Sequence, residues 1–284
     1  MYQCNFCEKN VEKLAKSHII PKFFYDWVIK TSTLKRLRGT TSNKPVQDGY
    51  KIEFLCNDCE VIFSKYEKYF AEIFFSVLKD EKDISELKKL DFNQINKFLT
   101  SLFWRVLKNG LNNPNLNGNY TSDELSKFNI DANSLKNSFL NDSSTEFDTY
   151  LIPLTEYFEH NNVLEIKDYS YYERSIGMDF MIFDNHDGQA SIIVKLPFIL
   201  LVCELMSSDT DNWQGFKINN HCIELFEPYH IPQYIQDYMQ YNYKQTCNII
   251  NSLPNNQMEK LIKQVKVKVK STDGTIKTIL KNKR

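Results

Sequence analysis

Three features of this sequence predict an α+β fold, with a small N-terminal module ahead of a larger helical and mixed-β region. Two Cys-x-x-Cys pairs, Cys4/Cys7 and Cys56/Cys59, fall within the first sixty residues. Apolar residues then recur at helical spacing from Ile62 to Val106, and from about Phe147 the pattern changes to short alternating or continuous apolar runs. The chain has 284 residues, 42% of them apolar and 14% aromatic, which is enough for one large core or two modest ones. The expected division is a cysteine module over residues 1–80 and an accessory or regulatory region over 81–284, helical over 81–146 and mixed sheet and helix over 147–284.

The elements follow in order. Pro21 to Val28 predicts a short helix, residues 31–50 are polar with Gly39, Pro45 and Gly49 as breakers, and Tyr50 to Leu55 alternates as a strand. A helix begins near Cys59, with Ile62, Tyr66, Tyr69, Phe70, Ile73, Phe74, Val77 and Leu78 on its apolar face. A second helix, or a pair, covers Ile84 to Lys108, and Asn112 to Asn119 reads as a loop. Thr121-Ser122-Asp123-Glu124 is a capping box that opens another helix. Strands are expected at Tyr150–Leu154, Ile176–Phe183 and Ser191–Leu196, with a hairpin turn at Asp184 to Gly188. The apolar run Phe198–Met206 suits a strand or a buried helix. Ile231 to about Leu253 reads as helical, and Val265 to Ile276 as a terminal hairpin with a lysine face. That face suits a nucleic-acid backbone or, equally, protection of an edge strand.

Net charge is −1, which does not by itself argue for nucleic acid, but the distribution is uneven. Residues 1–60 carry ten Lys and Arg against seven acids, residues 259–284 nine against two, and the middle 16 against 27. Basic ends on an acidic body suggest a local polyanion contact, with the body available to a protein partner or a second copy of the chain. No signal-peptide pattern is visible and no apolar stretch approaches a membrane span, so no membrane partner is expected. The cysteine usage fits a reducing compartment, and the expectation is a cytoplasmic protein. Cys203, Cys222 and Cys247 read as ordinary buried cysteines.

Four thiolates on two knuckles are the usual ligand set for one tetrahedral zinc. A knuckle, then strands, then a second knuckle at a helix start is the layout of a treble clef. The 48 residues between the pairs exceed the spacing of compact zinc ribbons. A module this small is expected to need its metal to fold. Unmetallated thiols, a four-sulfur iron site and a redox knuckle are weaker alternatives.

Between the knuckles stands Ser17-His18-Ile19-Ile20-Pro21, and Leu55-Cys56-x-x-Cys59-Glu60 closes the module. This arrangement resembles the zinc-containing branch of the HNH endonucleases, the ββα-metal or His-Me finger nucleases, over roughly the first quarter of the chain. The resemblance implies a metal-dependent DNA endonuclease in which His18 is the general base that activates water against a phosphodiester. It also implies a magnesium or manganese ion held by residues matching Ser17 and Glu60, with DNA as partner. Some members of that family serve in phage defence or mobile elements. The sequence departs from the family pattern at three places: Ser17 stands where Asp or His is usual, Glu60 where His is usual, and Lys51 near the usual asparagine, for which Asn43 is a looser candidate. Glu60, Ser64 and Glu67 share one helix face, so Glu60 and Glu67 together are candidate ligands for the second ion; a solvated face is the alternative. Lys30, Lys35, Arg36, Arg38 and Lys44 lie in an acid-free stretch suited to phosphate contact, and Lys51 joins them as a candidate substrate contact. His18 has structural alternatives, as a zinc ligand or a hairpin hydrogen-bonding group. Trp104-Arg105 reads as core with a buried ion partner. A non-catalytic zinc module that binds nucleic acid or protein is the rival function.

Overall fold

The computed structural model describes residues 1–32, 35–39, 45–80, 84–113, 120–143, 145–154, 172–183, 189–207, 212–219, 222–225, 229–252, 254–256, 259 and 263. Asn43, Lys44, most of the 112–119 loop, the Asp184–Gly188 turn and the terminal lysine hairpin lie outside the described residues.

The chain opens with β1 (Tyr2–Gln3), β2 (Asn10–Val11) and β3 (Ala15–His18), then α1 (Lys22–Thr31), the short pair β4 (Leu37–Arg38) and β5 (Pro45–Val46), and β6 (Lys51–Leu55). β1 pairs with β2 around the first cysteine knuckle, and β3 pairs antiparallel with β6, matching Ala15 to Leu55 and His18 to Lys51. α2 (Asn57–Tyr69) starts directly after β6, with Cys56 as its N-cap and Asp58 and Glu60 in its first turn, where acids meet the positive end of the helix dipole.

The sequence predicts one continuous helix from Cys59 to Leu78. The structure instead inserts a π turn at Phe70–Phe74 before α3 (Phe75–Lys79). The extra residue in that turn rotates the apolar stripe, so that Phe70, Phe74, Phe75 and Leu78 are all buried. Phe70 stacks on Phe74 and on Phe98, with ring centroids 4.4 and 3.9 Å apart. Ile62 and Ile73, assigned to the apolar face by spacing, are instead 45% and 40% exposed.

A 3-10 segment (Ile84–Lys89) leads into α4 (Phe92–Leu111), whose N-cap Asp91 accepts from the Asn93 N–H. α5 (Ser122–Leu140) opens on the expected capping box: Thr121 accepts from Glu124 N–H, and the Glu124 carboxylate accepts from Thr121 N–H.

The second half holds one antiparallel sheet, ordered β11 (Lys217–Ile218), β7 (Thr149–Pro153), β10 (Ile199–Met206), β9 (Gln189–Leu196), β8 (Gly177–Phe183). The run Phe198–Met206 is therefore strand, beginning at Ile199. β9 and β10 are central and buried on both faces, which is why their residues do not alternate. α4 and α5 cover one face, with Phe128 edge-on to Phe180 at 4.4 Å. α6 (Gln233–Asn251) covers the other, where the Tyr238 hydroxyl donates to Asp179 Oδ2 at 2.5 Å and Tyr234 donates to Glu204.

The hydrophobic core runs without a break across residue 80. Phe6 of the first knuckle meets Phe63, Trp104 and Phe139 at 4.8, 5.0 and 5.6 Å. Trp27 of α1 packs on Phe198 at 5.0 Å and lies under the Arg174 guanidinium. Of the three remaining cysteines only Cys203 is buried; Cys222 and Cys247 are half-buried. The Cys222 N–H donates to Asn219 Oδ1 at 2.8 Å.

Beneath α6 the sheet carries a polar face. Lys195 is fully buried and its ammonium donates to the carbonyls of Glu173, Ser175 and Leu196, at 3.1, 3.1 and 2.7 Å. Burial drives its pKa well down, because no solvent stabilises the charge. Burial likewise raises the Asp179 carboxyl, only partly offset by the Tyr238 and Asn242 hydrogen bonds. A carboxyl with a raised folded-state pKa binds more protons folded than unfolded, so it lowers stability as pH rises through the interval above about 4. Asp179→Asn keeps an acceptor for Tyr238 and removes the charge. The expected outcome is a Tm at pH 7 no lower than wild type and a flatter Tm profile between pH 4 and 7, read by thermal denaturation across that range.

Candidate metal centre

The first knuckle is shaped by its own backbone. Cys4 N–H donates to Lys9 O and Glu8 N–H to Cys4 O, at 3.0 and 2.9 Å, and Glu8 takes the left-handed conformation with φ 61°. Lys136 holds the Glu8 carboxylate at 2.5 Å. Asn5, between the two cysteines, binds the carbonyl of Phe54 through both its backbone and its side-chain amide. These bonds dock the first knuckle against β6, immediately before the second.

The result is a single cluster. The sulfurs of Cys4, Cys7, Cys56 and Cys59 all lie within 4.8 Å of one another, and none is in a disulfide. Cys7 Sγ and Cys56 Sγ are 3.6 Å apart. A tetrahedral zinc with Zn–S bonds near 2.3 Å sets its sulfurs roughly 3.8 Å apart. The Cys56 N–H also donates to Cys4 Sγ at 3.2 Å.

Burial raises the Cys4 thiol, but the backbone N–H groups of Cys56, Cys7 and Phe6 outweigh it and bring the pKa to about 7. Burial pushes the Cys59 and Cys7 thiols up, and the crowded sulfurs of Cys56 and Cys7 add to this at Cys59. One thiolate is thus favoured by the fold alone, while four at this spacing require a cation. The donor set fits zinc, which these four residues would hold to fix knuckle, strand and helix together.

His18 stands at the other end of the β3–β6 hairpin. It lies three residue steps along β3 from the Ala15–Leu55 pair beside the sulfurs, about 10 Å of strand, so it is not a fifth zinc ligand. Its ring is 15% exposed, and Nε2 donates to Asp48 Oδ1 at 2.8 Å. In the neutral imidazole that bond puts the proton on Nε2 and leaves the Nδ1 lone pair as the acceptor. Asp48 is itself fixed, by Lys51 Nζ at 2.5 Å and by Gly49 N–H at 2.8 Å. The Lys51 and His18 contacts hold its carboxyl far below the usual carboxylate range. Gly49 is required here: a β-carbon at that position would lie 2.1 Å from the buried Tyr25 ring.

Several sequence-derived site residues find other work. Ser17 is 2% exposed and its hydroxyl accepts from Leu55 N–H at 3.2 Å, so it locks the hairpin and does not face an ion. Glu67 Oε1 is held by the Arg105 guanidinium at 2.6 Å, not presented to a metal ion. Arg105, 3% exposed, also donates to His18 O at 3.2 Å and to Ser101 O at 3.3 Å, and lies over the Phe63 ring. It is the ion-paired core arginine expected beside Trp104. Glu60 is half-buried, and its Oε1 is buried with no hydrogen-bond partner among the described residues. It lies two turns of α2 from Glu67, about 10 Å, toward the sulfurs. Lys51 is committed to Asp48. Lys35 donates to Lys30 O, while Arg36 and Arg38 are half-buried around β4. Among the described residues the four cysteines are the one cluster of three or more metal-ligating side chains.

Asp48 is the residue that sequence reasoning missed. It sits in a polar stretch with no periodicity, and its role appears only when β3 and β6 pair. The available signal was a carboxylate beside Gly49, just before a strand whose register ends at His18. Comparison of the chain with protein-family models, with curated proteins and with solved structures finds no match.

Two measurements test this centre. Elemental analysis of the purified chain is expected to give about one zinc per molecule, and chelation or Cys56→Ser to lower Tm sharply. Arg105→Leu leaves Glu67 partly buried without its cation and is expected to cost about 3 kcal/mol; adding Glu67→Leu should recover much of that loss in denaturant unfolding.

Proposed function

We propose that the chain is a zinc-stabilised endonuclease of the HNH type, hydrolysing DNA phosphodiester bonds with His18 as general base in a cytoplasmic defence or mobile-element setting. The observation that carries this reading is the partly exposed imidazole at the hairpin end, held on Nε2 by Asp48 with Nδ1 left to accept a proton. The carboxylate fixes the tautomer and stabilises the imidazolium that forms when a water loses its proton to Nδ1. The order of knuckle, hairpin and helix, with the four cysteines gathered at one end of the hairpin, also supports this reading.

The phosphate-binding part of the reading rests on Lys35, Arg36 and Arg38, on the excursion between the two hairpin strands. Lys51 contributes through Asp48 instead. In such enzymes a magnesium or manganese ion supplies charge stabilisation on the phosphate and leaving oxygen. The ligands expected for it do not converge on His18 in this chain. Ser17 faces the hairpin backbone, Glu67 faces Arg105, and Glu60 lies toward the sulfurs. That arrangement favours a second reading, a non-catalytic module that binds DNA through the same basic excursion.

Incubation of supercoiled plasmid with the purified chain and magnesium or manganese separates the two. The nuclease reading expects nicking that His18→Ala reduces at least about 10²-fold and that Asp48→Asn reduces with a changed pH profile, both variants keeping their zinc. Plasmid retained by wild type in a mobility shift but never cut, under either ion, establishes the module reading.

A further inference from the structure

Away from the cysteine cluster and His18, a cavity of about 420 Å³ opens between α4, the chain following α5, and the β7–β11 edge of the sheet. That volume is in the range of small-molecule sites. Thr100 forms part of its floor. It is only 4% exposed, and its hydroxyl is a polar group of that wall. The half-buried Asn96 amide lies one turn earlier on the same face of α4 and also lines the cavity. The remaining walls include the rings of Phe103 and Phe147.

Charge narrows the ligand. Among the described lining residues only Lys97 and Asp142 are ionic, and they pair with each other at 2.7 Å. The Lys97 ammonium also donates to Phe139 O. A phosphate would therefore find no uncommitted cation. An amide offers a donor and an acceptor side by side, which matches the edge of a nucleobase, and aromatic walls suit its flat faces. We propose that this cavity binds a neutral nucleoside, with Asn96 reading the base edge, Thr100 completing its hydrogen bonds, and Phe103 and Phe147 enclosing the ring.

Isothermal titration of the full chain with adenosine, guanosine, cytidine and uridine tests this, with each 5′-monophosphate and glucose in parallel. The expected result is binding of at least one nucleoside near one per chain, no tighter binding of its monophosphate, and about a ten-fold loss in Asn96→Ala and in Thr100→Val. Asn96 is only half-buried, so its variant keeps the test valid if Thr100→Val folds poorly; the unliganded Tm of each checks this. Four results overturn the proposal: no heat with any nucleoside at millimolar concentration, binding unchanged in a folded Asn96→Ala, tighter binding of a monophosphate, or binding of glucose alone.

Discussion

The gathering of four sulfurs is the constraint on which the first third of this molecule depends. Residues 4–7 and 56–59 are far apart in sequence, and the chain between them includes one long polar stretch, residues 31–50, with Gly39, Pro45 and Gly49 as breakers. Closing a loop of that length is entropically unfavourable, and a single ion held by all four thiolates would offset it. The cluster stands at the Ala15–Leu55 end of the β3–β6 pair, and that register sets how far His18 stands from the sulfurs. Ser17 then locks the same hairpin from within. The residue that the family resemblance would turn toward a second ion is here part of the scaffold.

α4 ties this module to the rest. Its buried face meets Phe6 and Phe63 through Trp104, and Arg105 joins the His18 carbonyl to the Glu67 carboxylate. A few residues earlier the same helix walls the polar cavity. The sheet, covered by α4 and α5 on one side and α6 on the other, supplies the rigid body against which these contacts are made. Because one core crosses residue 80, the cysteine module does not rest on a surface of its own but is packed into the larger region through Trp27, Phe6 and Phe75.

Much of this was legible in the sequence. The paired cysteines, the strand before Cys56, the helix after it and the capping box at Thr121 all depend on local spacing or local hydrogen bonds, and all stand where that chemistry puts them. The π turn at Phe70 was not legible, because helical periodicity cannot register an inserted residue whose benefit is stacking on Phe98 from another helix. β10 was ambiguous for a related reason: a strand buried on both faces shows no alternation. At the candidate site, His18 stood out by its neighbours, whereas Asp48 and Arg105 act on it from positions 30 and 87 residues away. Carboxylates assigned by helix spacing fared differently. Glu67 shares a face with Glu60, but a buried cation from another helix claims it first.

The turn at Gly49 gives the hairpin an uncommon dependence. The Tyr25 ring lies where any β-carbon at that position would have to be, so every other amino acid must push the ring or the turn aside. The Asp48 backbone is on one side of that turn and the first residues of β6 are on the other. The direction in which the imidazole points thus depends on a position with no room for one methyl group, and the smallest possible enlargement of the chain there, a single alanine, would bear on Asp48 and on the histidine it holds.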